Sequence, residues 1–574
     1  MCLLDGTLFP RWQKPPSRGQ DLLAPRGDQL RKSIATRIAN VAADEARRAR
    51  LGLRKKGLPP LYYLSYTIRD LDIFEVEARF GSLYRRERIK RRNCLADTRV
   101  GNHRYDHVTD GGIYDYGKDA ESFEHLELPL SNQEDALRIS LWRLTDARYR
   151  EAEDAFLRRK STELTYLDEH PHLHALEKKD PIIDTRWGSL PPIDEDRWES
   201  YVRRASATVR RHPLICNSHV ALSVRNLSII YVNTDGSIVF DRLSYWGLEC
   251  YLWLLSKKGD GIPWTISHFC CDPEELPSLR RFQREISDKA VLLEKIAASP
   301  VLHSYSGPVL LDPVPAGLLI HEAIGHRLEG NRLLASGEGR TFKDAVGRIV
   351  LPEHLTLHDD PRLRHFDGKS LVGHYRYDDE GSEAQDARLI EEGKLTGFLT
   401  GRTPITRRHE SNGHGRSRRQ QRAMSRMGVT ILESSKAQTD QQLKEMLVDQ
   451  VRIQGLPFGI RIRHAAGGET STDAYNFQAF LGEINLASRV FPDGSEDLVR
   501  GVNFVGTPLN AVRGILGAGE KLEVDNGWCG AESGFIPVST ISPSLLVRHL
   551  ELQSKSESTY AQYCYPMPAR DDSP

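Results

Sequence analysis

Two histidines and a glutamate within six residues, His321-Glu322-Ala323-Ile324-Gly325-His326, constrain this 574-residue chain more than any other stretch. A hydrolytic metal site needs imidazole ligands and a carboxylate to move protons, and only a well-built interior holds such groups together. The approach, residues 308–311 (Pro-Val-Leu-Leu), reads as a buried strand. Asp312 follows as the N-cap. Pro313 takes the first helical turn, where a missing N–H costs nothing. Leu318, Leu319 and Ile320 carry the helix into His321, so the motif falls on a helix with an apolar face.

The spacing departs from H-E-x-x-H, which sets both histidines on one helical face. Here they stand at i and i+5, displaced by about 140° around a regular helix against about 40° for i,i+4. Convergence requires local widening, and a single π-turn supplies it. Gly325, beside the second histidine, lowers the barrier to that distortion. Spacing alone leaves metal binding and coincidence both open, because the chain carries 20 histidines.

The length exceeds what one core fills and implies two or three domains. Lys+Arg and Asp+Glu both number 79, so net charge argues for neither nucleic acid nor membrane. No apolar run is long enough for a spanning helix. The start, Met1-Cys2-Leu3-Leu4-Asp5-Gly6, lacks a basic and then apolar secretory pattern. Eight cysteines without repeated spacing make no disulfide framework. A cytoplasmic location is expected.

In chain order, residues 1–28 are rich in Pro, Gly and Arg and read as a flexible extension. A helix is expected at 29–51, then paired strands at 62–68 and 72–78. The basic run 84–92 reads first as a solvated face and second as a phosphate-binding patch. Further helices are expected at 133–163, 197–211 and 273–298, with strands at 220–224, 228–232 and 237–240, the last entered by an Asp235-Gly236 turn. His170, His172 and His174 alternate in a loop, but no supporting carboxylate or cysteine joins them. Cys270-Cys271 are adjacent and read as packed thiols. The domain boundary falls at Ser299-Pro300.

Beyond it, clustered glycines and short strands indicate a β-rich domain around the motif helix. Tyr377-Asp378-Asp379-Glu380-Gly381 is an acidic turn, 389–395 a hairpin and 438–453 a helix. Residues 402–426 form a basic, glycine-containing loop. A third metal ligand is needed, and Asn526-Gly527-Trp528-Cys529-Gly530 offers a cysteine on a glycine-flanked turn. A buried structural thiol is the alternative reading of Cys529. Cys564 competes from a polar tail.

The HEAIGHRLEG stretch, the YDDEG turn with its LIEEGKLTGFL hairpin, the SNGHGR loop and the GWCG turn together resemble the TldD/PmbA family. These are bacterial and archaeal metallopeptidases, also described as modulators of DNA gyrase. The resemblance runs from about residue 30 to 550 and is firmest over 305–540. The family's motif is H-E-x-x-x-H, the spacing found here. The resemblance implies an α+β fold, with an N-terminal α/β mixed domain and a β-rich C-terminal domain carrying the metal-site helix. On this reading the chain divides into a flexible extension (1–28), a peptide-binding, dimer-forming domain (29–300), a metallopeptidase domain (301–555) and a flexible tail (556–574). It further implies Zn²⁺ held by His321, His326 and Cys529, with Glu322 as general base.

The implied activity is a zinc metalloendopeptidase acting on small or unfolded peptides. The family's catalytic, TldD-like branch keeps the histidines, and so does this chain. The implied assembly is a homodimer, or a heterodimer with a TldE/PmbA-like subunit, away from membranes. His414 and Arg416 are candidates to touch substrate. Two other readings stand beside this one. One is a zinc-binding pseudoenzyme that depends on a partner. The other is a gyrase- or nucleic-acid-associated modulator, supported by the two basic stretches and opposed by the zero net charge.

Overall fold

The computed structural model describes residues 28–54, 57–108, 127–163, 173–334, 340–418, 422–470, 480–504, 508–555 and 560–563. The expected extension, save its last residue, lies outside these, as do most of the expected tail, His170, His172 and Cys564. The fold is α+β, with two sheets that divide the chain near residue 300.

A seven-stranded sheet organises the first half. Its order is Tyr105–Asp106, Ser82–Asn102, Leu61–Arg79, Ile215–Asn233, Ile238–Leu255 and Ile183–Asp184, with Gly261–Cys270 also pairing to Ile238–Leu255. The two strands expected at 62–68 and 72–78 are one strand of 19 residues, and those at 220–224 and 228–232 are another. The polar residues between the apolar runs read as breaks, yet they stay in register, Arg69 opposite Ile229 and Asp70 opposite Ser228. Their charges are met from outside the strand, Asp70 by Arg92 at 2.5 Å and Arg69 by Asp379 at 2.7 Å.

Alternation decides what each face of this sheet meets. Leu64, Tyr66 and Ile68 pack with helices Asp28–Gly52 and Glu134–Glu163. Further along the same strand, Phe74, Val76 and Ala78 join a second core with helices Glu195–Ala207 and Leu279–Ala298. Residues of the opposite parity turn to the second half: the Tyr63 hydroxyl accepts from Arg402 Nη1 (2.9 Å), and Tyr231 donates to Glu380 O (2.8 Å). The basic run 84–92 is paired, Arg85 with Glu75, Arg86 with Glu199, and Arg88 with both Asp72 and Glu195. It is a salt-bridged face.

The second half is a twelve-stranded sheet in which Ser304–Leu311, Gly459–Thr470, Phe480–Val490, Val502–Phe504 and Gly534–Ser554 pair in a closed circuit. Ser304–Leu311 runs parallel to Gly459–Thr470 and antiparallel to Gly534–Ser554. From residue 307 to 311 it is buried on both sides, which explains the unbroken apolar run there. Val309 and Leu311 face the core of the motif helix, while Leu310 faces Leu443 and Leu447 of helix Asp440–Ile453. That helix opens with a capping box in which Thr439 and Gln442 bond each other's backbone. The expected hairpin turns through Glu392 (φ 47°) and Gly393 (φ 74°), the left-handed pair a two-residue turn requires.

Candidate metal centre

The motif helix, Pro313–Ala323, packs against Gly459–Thr470 and Gly534–Ser554. Asp312 holds the N-cap position, but its carboxylate accepts from Arg461 Nε (2.8 Å) instead of from the helix backbone. The expected π-turn is absent from this segment. The helix stops at Ala323, and a 3-10 turn, Gly325–Leu328, carries the chain on. Ending the helix between the ligands solves the 140° problem more simply than widening it, because His326 no longer has to obey the helical repeat. The two imidazoles then lie 5.0 Å apart, nearly perpendicular. Gly325 is needed for space and not for an unusual backbone: a Cβ there would sit 2.3 Å from Met427 Sδ.

Cys529 comes from strand Ile515–Ala531, opposite Ile536. It is not on a turn, as the flanking glycines suggested, since the strand reaches the hairpin end only at Ala531. Its Sγ lies 3.2 Å from His321 Nε2 and 3.4 Å from His326 Nε2. The donor atoms of His321, His326 and Cys529 all fall within 4.8 Å of one another. A Glu322 carboxylate oxygen stands 4.0 Å from His326 Nε2. All four side chains are buried.

Two residues that the sequence reading did not single out complete the surroundings. Glu329, fully buried, accepts Nδ1 of His326 at 3.1 Å and Nε of Arg332 at 2.8 Å, and pairs with Arg426 Nε at 3.2 Å. This is the carboxylate–histidine arrangement that fixes a metal-binding imidazole's tautomer. The signal was present in HRLEG, where Glu329 follows His326 by three residues. Arg426 Nη2 donates to Cys529 O (2.9 Å) and approaches its Sγ (3.2 Å). Arg332 also forms a two-pronged pair with Glu532, both contacts 2.8 Å.

The electrostatics follow from these contacts. Burial alone would raise the Cys529 thiol, but His326, His321 and Arg426 outweigh it and hold the group well below its ordinary value. Burial would lower both histidines, yet the Cys529 thiolate raises His321. Glu329 and Cys529 together raise His326 to about 10. Glu329 itself is depressed despite burial, chiefly by His326 and Arg332. The chain thus stabilises a thiolate at this point and gives the two facing imidazoles a raised affinity for a proton.

The other candidates sit elsewhere. His414 is fully buried, with Nε2 3.2 Å from Asp359 Oδ1 and Nδ1 2.9 Å from Asn412 Oδ1. Arg416 donates from Nη1 to Met427 O (2.7 Å) and Pro537 O (2.9 Å) and lies over the Tyr375 ring. Both ring nitrogens and this guanidinium are engaged within the protein, holding the loop to the sheet. The acidic turn is likewise internal. Asp378 accepts backbone N–H groups of Glu380, Ser382 and Gly415, Asp379 pairs with Arg69, and Glu380 accepts the N–H of Arg402.

Residues 304–554 match the family described as the PmbA/TldA metallopeptidase C-terminal domain. Among relatives, the chain is 25% identical over 358 residues to a metalloprotease of Methanothermobacter thermautotrophicus, covering 59% of this chain and 73% of that protein. It is 30% identical to a metalloprotease of Archaeoglobus fulgidus over 42% of this chain and 51% of that one. A zinc metalloprotease TldD homologue of Saccharolobus solfataricus is 27% identical over 46% of this chain and 55% of its own length. Among solved structures, TldE from Thermococcus kodakarensis superposes with a TM-score of 0.56 at 13% identity, covering 86% of this chain and 97% of that one. At that identity the likeness concerns the fold. No described helix is long and apolar enough to cross a membrane.

Proposed function

For this member of the PmbA/TldD metallopeptidase family, we propose zinc-dependent hydrolysis of peptide bonds, with His321, His326 and Cys529 as metal ligands and Glu322 as general base. The convergence of three donor atoms beside the Glu322 carboxylate carries the reading. Tetrahedral zinc with N and S ligands sets neighbouring donors about 3.5 Å apart. The 3.2 and 3.4 Å separations fit that spacing. A thiolate with two imidazoles is also a donor set suited to zinc. Bound zinc supplies Lewis acidity towards the scissile carbonyl and the attacking water.

The chain's own residues do the rest. Glu322 takes the proton of the attacking water and delivers it to the departing amine. Glu329 holds the proton on His326 Nδ1, leaving Nε2 its lone pair. Arg426 anchors the Cys529 backbone and tempers the thiolate's charge. The expected substrates are small or unfolded peptides, and the expected assembly is a dimer, of this chain alone or with a TldE-like subunit. The alternative of a nucleic-acid-binding modulator finds its basic run already paired by carboxylates.

The test compares zinc content and casein-fragment hydrolysis between wild type and Glu322→Gln. One zinc per chain in both, with turnover falling by a factor of about 10² or more in the variant, is the expected result. Zinc without cleavage in either protein would indicate a missing partner subunit, and no zinc in either would remove the metal reading.

A further inference from the structure

Strand Ile515–Ala531 presents two faces. Asn526 and Trp528 turn to the first half: Asn526 Nδ2 donates to Phe269 O (3.0 Å), and the Trp528 ring meets Tyr245 at 5.7 Å. Pairing with the return strand is regular from Leu522 to Ala531, so Asp525, Gly527 and Cys529 share the opposite face, towards the motif helix. Cys529 ends that row at the metal centre. Asp525 stands at its other end, opposite Thr540, whose side chain lies against Gly317, one helical turn before His321. Between them a Cβ on Gly527 would meet no atom within 4 Å. The row is therefore open in the middle. Beyond residue 519 this strand is paired on one edge only, among the described residues.

Asp525 is exposed to solvent, yet no hydrogen bond or ion pair involves its carboxylate among the described residues. Protein crowds it enough that burial raises its carboxyl above the ordinary range, while His321 and Lys369 pull the other way from beyond ion-pair distance. An unpaired, solvent-accessible carboxylate at the end of an open row is free to meet a cation on a ligand lying along that row.

We infer that Asp525 is a specificity residue that reads a cationic nitrogen on the substrate, either a Lys or Arg side chain or the chain's terminal ammonium. The inference rests on the peptidase reading. Four residues of strand separate Asp525 from Cys529, about 13 Å between Cα atoms. An extended peptide lying along the row places its cation roughly two to four residues from the bond cut.

The test is cleavage-site profiling of a peptide mixture by mass spectrometry with the zinc-loaded enzyme. Wild type enriches basic residues, or free N-termini, at a fixed offset from the cut by about tenfold or more. Asp525→Asn loses that enrichment at unchanged zinc content, and Asp525→Lys shifts it to acidic residues. A synthetic mixture acetylated only at its α-amino groups, with Lys and Arg side chains left free, separates the two sources, because it removes a preference for the terminal ammonium and leaves one for side chains. Equal profiles for wild type and Asp525→Asn would overturn the inference while leaving the peptidase reading in place. Should the zinc-loaded wild type cut nothing, a missing partner subunit is indicated and cleavage profiles carry no information on Asp525. Binding of a fluorescent lysine peptide against its norleucine counterpart then decides Asp525 alone: a preference lost in Asp525→Asn supports the inference, and no preference overturns it.

Discussion

Replacing Glu329 by glutamine tests the metal centre and its scaffold together. This carboxylate is fully buried and serves three cationic or donor groups: the His326 ring, Arg332 and Arg426. Arg332 keeps a second carboxylate in Glu532, but Arg426 retains only neutral oxygens and the Cys529 sulfur. The variant therefore leaves one buried guanidinium without a carboxylate, which costs about 3–5 kcal/mol. At about 2 °C per kcal/mol for a unit of this size, the metal-free Tm falls by roughly 6–10 °C. Loss of the ring's anionic partner also weakens zinc binding by about 10–100-fold. Chelator competition at pH 7.5 and thermal unfolding with and without zinc measure both effects. A variant within threefold of wild type in zinc affinity and within a degree in Tm would refute the reasoning, for it would mean that Glu329 neither orients His326 nor neutralises Arg426.

Gly325→Ala drives a methyl into Met427 and is expected to cost about 1–3 kcal/mol in the wild-type background and less in a Met427→Ala background; an equal drop in unfolding midpoint in both backgrounds would contradict this. Because His326 is raised to about 10, zinc bound as proposed would displace a proton from it at neutral pH. Calorimetry in buffers of different ionisation enthalpy should show proton release, and zinc affinity should rise with pH between 6 and about 9. Asp97, pressed up by burial but held below the ordinary carboxylate range by Arg99 and Arg422, has a folded pKa beneath its unfolded value of about 3.9. Its contribution is complete above that value and disappears as pH falls through the folded pKa, so Asp97→Asn should flatten the acid limb of the Tm–pH curve.

Much of this was legible because the signals were local. The strand at 308–311, the N-cap position of Asp312, the hairpin at 389–395 and the helix opening at Thr439 each depend on a few adjacent residues. The meeting of His321, His326 and Cys529 was expected from a short motif and one distant cysteine, with the family resemblance joining them. What escaped depends on distant partners. Asp70 looked like a strand break because Arg92 is invisible from its neighbours in sequence. The internal bonds of His414 and Arg416 were not readable because Asp359 and the Pro537 carbonyl come from 55 and 121 residues away. The π-turn was the wrong solution to a real spacing problem, since periodicity cannot show that a helix ends between two ligands.

The three donors of the candidate centre are separated very unevenly along the chain: His321 and His326 are neighbours, whereas Cys529 lies 208 residues beyond His321. The strand that launches the motif helix also pairs with Gly534–Ser554, the final strand of the sheet. During synthesis the histidine pair therefore emerges long before the thiolate and before the strand that seats it. Closing so long a loop is slow and gives no reward until both ends meet. On the proposed zinc reading, two imidazoles alone bind the ion weakly, so the site would be complete only once nearly the whole polypeptide has been made. A chain broken off before residue 529 would carry the complete histidine motif and still lack the proposed third ligand.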